Sequence, residues 1–275
     1  IGIILHAALE SMFRHVHDNL KNDWYGISDD DRASMTERFV KEAFACEYSE
    51  QMDDPRYVKL LDNLIRIGKR TTEYLTKIGN RDVLLPEYFE YKFQNQISLP
   101  DVGETMQLRG VVDRGDVYYD AEQQKLRLRI VDYKSGNHDF KLHELYEGLQ
   151  LQLAIYMGVM EQLVSEQYRK DGMADVQIVP DSMLYYQFKD PYVEADDAAK
   201  AQKERNKKLD VTGLKSDDVE YFHNILRFGE KKMKDIATSM LEGRIDKAPM
   251  VRGKDSACTY CAYADVCRFD DKFGN

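Results

Sequence analysis

The chain has 275 residues, 43% of them hydrophobic, and a formal net charge of −10. That much apolar material can bury a full core, and the acidic balance excludes a generally basic nucleic-acid binder while leaving room for a local basic groove or a metal-dependent nucleic-acid site. No apolar run approaches the roughly 20 residues of a membrane-spanning helix, so no membrane partner is expected. Of four cysteines, three cluster at Cys258, Cys261 and Cys267. This usage suits a reducing, cytoplasmic compartment and a metal or cluster site better than a disulfide framework.

The opening IGIILH falls mid-pattern in an apolar segment and reads as a piece cut from a longer protein. Helical spacing predicts a first helix over Ile3 to His17, with His6 near its start. Ser28 with Asp31 three residues on marks an N-cap, from which a helix could run to Gln51. Asp54-Pro55 opens another, with Gly79-Asn80 as its stop. The pattern then turns extended: Val83 to Phe93, a turn at Ser98 to Gly103, and a strand from Met106 ending at Asp113. Leu126, Leu128 and Ile130 line the apolar face of the next strand. Leu142 to Lys170 reads as one long helix, Gln177 to Lys189 as a strand and Val219 to Leu241 as a helix. Residues 195 to 215 are charged and loosely patterned, and the tail from Ala248 is irregular. This order points to an α/β core with a helical N-terminal part.

The chemistry concentrates between Gly110 and Gly136. Strand side chains alternate, so Asp132 and Lys134 extend the face begun by Leu126, Leu128 and Ile130. Unpaired charges are costly to bury, and a divalent cation is the obvious reason to place them there. Phosphodiester hydrolysis needs carboxylates to hold Mg²⁺ or Mn²⁺ and a group to orient the attacking water. Asp113, Asp132 and Lys134, spaced D-x18-D-x-K, supply those parts. The three residues alone equally describe a solvated strand end with Lys134 paired to Asp132.

The flanking residues carry a resemblance. GVVDR at Gly110 to Arg114, IVDYKS at Ile130 to Ser135 and GLQLQLAIY at Gly148 to Tyr156 closely resemble the RecB-like branch of the PD-(D/E)xK nucleases. The resemblance implies a restriction-endonuclease-like fold, a mixed central sheet flanked by helices. It implies that Asp113, Asp132 and the Tyr133 carbonyl hold the metal with His6, whose IGIILH context matches the family's early histidine. Lys134 would act on the water, and Gln152 and Tyr156, one turn apart on the helix after the hairpin, would support the site or touch the nucleic acid. Glu90, in FEYKF, aligns with an acidic position and ranks lower, as a structural or supporting residue. His15 and His17 have no match.

The tail, ACTYCAYADVCRFD, resembles the end of AddB, the partner of AddA in bacterial helicase–nucleases. In that family an upstream cysteine and three final ones hold a [4Fe–4S] cluster. Cys258, Cys261 and Cys267 match the last three, but no cysteine precedes His6, so the cluster is expected in the longer parent and incomplete here. The likeness implies one nuclease domain over 1–275: helices to 80, catalytic sheet and helix over 81–190, charged excursion and helix over 191–247, cysteine tail over 248–275. It implies an exonuclease for the 5′-ended strand in double-strand break repair, acting on single-stranded DNA ends beside an AddA-type subunit. A stand-alone RecB-like or CRISPR-associated exonuclease, and a non-catalytic DNA-binding iron–sulfur scaffold, are the alternatives. Arg14, Lys69, Arg70 and Lys141 are candidates for a basic path.

Overall fold

A computed structural model of the chain describes residues 2–51, 54–82, 84–136, 138–173, 176–189, 211–252 and 255–269, together with 197 and 200. Three helices come first: α1 (Gly2–Asn19), α2 (Asp29–Tyr48) and α3 (Pro55–Asp82). Ser28 caps α2 as expected, its Oγ accepting from the Asp31 N–H at 3.1 Å. A short 3-10 turn, Ser49–Gln51, follows α2. α3 continues through Gly79 and Asn80 to Asp82. The propensity cost of one Gly and one Asn, about 1 kcal/mol or less each, does not stop a helix of that length.

Five strands form one sheet in the order β1 (Leu85–Leu99), β2 (Glu104–Asp120), β3 (Lys125–Lys134), β4 (Gln177–Gln187) and β5 (Val211–Lys215). All neighbours are antiparallel except β3 and β4, which are parallel. A parallel pair needs a crossover. Here it is α4 (Leu142–Glu147) and α5 (Gln152–Lys170). α6 (Val219–Leu241) follows the sheet, matching the helix read from the sequence. In the tail, β6 (Val251–Arg252) pairs with β7 (Asp255–Ser256), a 3-10 turn covers Ala257–Tyr260, and α7 (Ala264–Cys267) is one turn.

The mixed five-stranded sheet with flanking helices is the fold class expected from the sequence. Three local expectations change. β2 runs seven residues past Asp113, because it pairs with β1 along its first part and with β3 along its second. Asp113 therefore sits inside a strand, where the ladder changes partner. The long helix over Leu142 to Lys170 is two helices. Gly148 stands between them in the left-handed region (φ 87), donating to the Glu144 and Leu145 carbonyls, while the Leu149 N–H bonds the Glu144 carbonyl at 2.8 Å. That is a glycine helix stop. The charged excursion ends in β5, an edge strand; its earlier residues, and Asp190-Pro191, fall outside the described residues.

Apolar side chains pack on both faces of the sheet. On one face Ile4, Leu5, Met12, Phe39 and Leu64 of α1 to α3 meet Phe89, Val131, Tyr133 and Tyr186. On the other, Leu153, Met157, Met160 and Phe222 of α5 and α6 meet Phe93, Val112, Leu128, Ile130 and Met183. β3 is thus covered on both sides, which explains its nearly continuous burial. Among the described residues no helix is long and apolar enough to cross a membrane.

Candidate active site

On a regular strand, residues two or four apart share a face. β1 and β2 break that rule at one level. Phe89 packs with α1 and Phe93 with α5, although they are four apart. Likewise the Arg114 guanidinium lies 4.7 Å over the Phe13 ring of α1, whereas Val112 is buried beneath α5. The switch falls at Glu90 and Asp113, between the ladder pairs Phe89–Arg114 and Tyr91–Val112. Glu90 adopts φ 43, a left-handed conformation rare for a residue with a side chain. Both strands change face together, and the residues at the switch are carboxylic acids.

β2 and β3 part at the same level. Their last ladder pair is Arg114–Val131. Two residues on, the Tyr133 N–H donates to Asp113 Oδ2 at 2.6 Å. A side chain thus continues the ladder where the backbones have separated. His6 of α1 reaches into this fork: its Nδ1 lies 3.1 Å from Glu90 Oε1 and 3.7 Å from Asp113 Oδ1, and its Nε2 lies 3.3 Å from the Tyr133 carbonyl. Ligand atoms of His6, Glu90 and Asp113 all lie within 4.8 Å of one another.

On the α5 side of the fork, Asp132 and Lys134 share a face as alternation requires, with Asp132 Oδ2 2.6 Å from Lys134 Nζ. The ion pair is close but poorly directed, and Oδ2 makes no hydrogen bond among the described residues. Gln152 locks the arrangement: Oε1 accepts from Lys134 Nζ at 2.8 Å, and Nε2 donates to Asp132 Oδ1 at 2.8 Å and to the Tyr156 hydroxyl at 3.2 Å. Gly148 matters here. By ending α4, it lets α5 begin at Gln152 and present that side chain from its first turn.

The electrostatics of the site call for a cation. Burial and the neighbouring Asp132 push the Asp113 carboxyl up to about 7, with His6 acting in the opposite sense. Burial also raises Asp132, against the pull of Lys134. For His6, burial works against protonation, but Glu90 and Asp113 outweigh it and leave the imidazole above its ordinary value. An imidazole can donate from both nitrogens only as imidazolium. With acceptors at Nδ1 and Nε2, His6 itself supplies positive charge to the site. Oxygen-rich donors with one imidazole suit Mg²⁺ or Mn²⁺, and the buried, mutually repelling carboxyls fit such an ion.

The structure thus brings His6, Asp113, Asp132, Tyr133, Lys134, Gln152 and Tyr156 to one fork, with Glu90 among them. From sequence Glu90 reads as a supporting residue, yet its carboxylate touches His6 directly. The signal that could have placed it is the acid on a strand of aromatic residues, at the level where alternation fails. The tail cysteines behave differently. Cys258, Cys261 and Cys267 are all unpaired, and their thiols are not gathered into a metal-binding group among the described residues. They do not fit a [4Fe–4S] cluster as they stand. The suggested basic path is not free either: Arg14 pairs with Glu10 at 3.0 Å, Lys69 with Glu37 at 2.5 Å and Lys141 with Glu144 at 2.9 Å, while Arg70 is buried.

A family model of the PD-(D/E)XK nuclease superfamily matches residues 1–268, and the chain belongs to that superfamily. Its similarity to individual proteins is narrower in name. The chain is 27% identical over 318 aligned positions to an ATP-dependent helicase/deoxyribonuclease subunit from Alkaliphilus metalliredigens (strain QYMF), covering 99% of this chain and 27% of that protein. The protein of the same name from Lachnoclostridium phytofermentans (strain ATCC 700394 / DSM 18823 / ISDg) is 28% identical over 320 positions, covering 99% of this chain and 26% of that protein. The chain spans about a quarter of the length of these relatives.

Proposed function

We propose that the chain is the metal-dependent deoxyribonuclease part of an AddAB-type helicase–nuclease, an exonuclease that hydrolyses phosphodiesters of the 5′-ended strand during double-strand break repair. The observation that carries the reading is the fork itself: His6, Glu90 and Asp113 converge within 4.8 Å, and the Asp132–Lys134 pair lies across the separated strands from them. The relatives' shared name, helicase/deoxyribonuclease subunit, supports DNA as substrate and an AddA-type partner.

His6, Glu90, Asp113, Asp132 and the Tyr133 carbonyl would hold the divalent ion. When bound, Mg²⁺ or Mn²⁺ would lower the pKa of a bound water and neutralise charge at the scissile phosphate. Lys134 orients the attacking water and offsets charge that develops on the pentacovalent phosphorus, from a position fixed by Asp132 and Gln152. Gln152 holds acid and lysine in register, and the Tyr156 hydroxyl beside it offers the strand a polar contact. The scaffold alternative is disfavoured, because every acid and the lysine are present and brought together. Asp132→Ala is expected to remove Mg²⁺-dependent cleavage of single-stranded DNA; full activity in that variant would overturn the reading.

A further inference from the structure

α5 carries the fork residues in its first turn and a second concavity behind them. A cavity of about 260 Å³ opens between the β1–β2 hairpin, α5 and α6, with Asn95, Leu108, Gly158, Gln162, His223 and Leu226 in its wall. It begins one step from the active site. Tyr156 packs edge-on against Phe93 at 5.6 Å, and the ladder partner of Phe93 is Gly110. The next pair on that face, Asn95–Leu108, is already cavity wall. Two residues along a strand cover about 7 Å.

Gly158 gives the cavity its meaning. A glycine inside a helix costs about 1 kcal/mol relative to alanine, so its presence asks for a reason. Elsewhere in the chain the reason is packing. A Cβ at Gly68 would meet Thr36 and Val40 at 3.1 Å, and one at Gly229 would meet Ala154 at 3.0 Å. At Gly158 a Cβ would meet nothing within 4 Å. The room it leaves is not used by the chain itself.

The chemistry of the wall narrows what enters. Leu108 and Leu226 offer apolar faces, while Asn95 and Gln162 offer amide donors and acceptors. Glu161 is engaged by His223 at 3.0 Å and Glu230 by Lys234 at 2.7 Å. Two acids at the rim repel phosphate but leave a neutral group unopposed. The volume is below the 300 Å³ or so at which drug-sized ligand pockets begin, which suits a single ring system. Apolar faces with amide edges are how proteins hold an unstacked base.

We propose that this cavity receives one nucleobase of the single strand whose backbone lies at the fork, a proposal that rests on the deoxyribonuclease reading above. It is tested with the 275-residue chain, Ca²⁺ in place of Mn²⁺, and oligonucleotides carrying 2-aminopurine at successive positions. One position shows a fluorescence change on binding, and Gly158→Met, which fills the space, abolishes that change and weakens binding about tenfold, or about 1.4 kcal/mol. Gly158→Ala binds within about twofold of wild type. Melting temperature is not lowered in either, since both side chains favour helix over glycine. Should Gly158→Met fold poorly, the pair Asn95→Leu with Gln162→Leu removes the amide edge and produces the same loss of signal. Wild-type affinity and an unchanged fluorescence signal in a folded Gly158→Met protein overturn the proposal. Failure of the deoxyribonuclease reading is seen separately, as absence of Mn²⁺-dependent cleavage by the wild type.

Discussion

The Tyr133 N–H donates to Asp113 Oδ2 at 2.6 Å, so a carboxylate takes the place of a backbone acceptor where β2 and β3 separate. One acid therefore both holds the fork open and serves it. The second oxygen of Asp113 points toward His6, 3.7 Å away. Asp113→Asn keeps an acceptor for Tyr133 and removes the charge. The variant is expected to remain folded while its Mn²⁺ affinity falls at least about tenfold by calorimetry.

The same carboxyl makes metal-free stability depend on pH. Asp113 titrates at about 7 in the folded protein, above its ordinary 3.8. Between those values the folded chain holds a proton that the unfolded chain has released, so stability is lost as pH rises through about 7. His6 acts in the same sense: raised above 6.5, it contributes fully below that value and loses its contribution as pH rises through its folded pKa. Urea midpoints in EDTA are expected to be lower at about pH 8.5 than at about pH 5.5, with Asp113→Asn reducing the difference. Mn²⁺ binding displaces these protons, so its affinity climbs over the same range.

Glu90 separates strain from function. Its φ of 43 suits glycine better than glutamate. Glu90→Gly relieves the backbone and removes the carboxylate from His6. Urea denaturation should show stability within about 1 kcal/mol of wild type. Metal affinity should fall about 10- to 100-fold, as is usual when a partner of a ligating histidine is lost. Unchanged metal affinity would return Glu90 to a purely structural role.

Gln152→Ala frees both Lys134 and Asp132 from one clamp. We expect kcat for single-stranded DNA to drop about 10- to 100-fold, with a smaller change in KM, because the lysine is still present but no longer held. A KM effect alone would mean that Gln152 binds the strand without positioning Lys134.

Away from the fork, the α1-facing side of the sheet buries a charge network. Arg114 donates to Asp116 at 2.5 and 2.8 Å, and Arg129 reaches Ser182 at 2.9 Å and Asp181 at 3.3 Å, with Arg127 also on Asp181. Arg129→Ala leaves Asp116 and Asp181 buried without that cation. Removing one partner of such a set costs about 3–5 kcal/mol, which chemical denaturation would register without involving the active site.

What could be read from sequence follows the range of the interactions. Asp132 and Lys134 are legible because two-residue alternation is local, and Gln152 and Tyr156 because one helical turn is. His6 can be placed only through its resemblance to a family pattern, since it meets Tyr133 across 127 residues. The shared face switch at Glu90 and Asp113 leaves no local trace: it depends on two strands changing side together. Gly148 could have shown the break before α5, but the apolar spacing on either side reads as one helix. The cavity at Gly158 is set by three elements at once, and no segment alone announces it.

The proposed function stands on the fork holding a divalent cation through side chains of α1, β1, β2 and β3. Anomalous scattering from a Mn²⁺-soaked crystal of the chain is the sharpest test. We predict one strong peak in the fork, bonded to His6, Asp113 and Asp132, with the Tyr133 carbonyl and Glu90 around it. A fork without a peak under saturating Mn²⁺, or a peak that leaves His6 and Asp113 bonded only to each other and to Glu90, would contradict it.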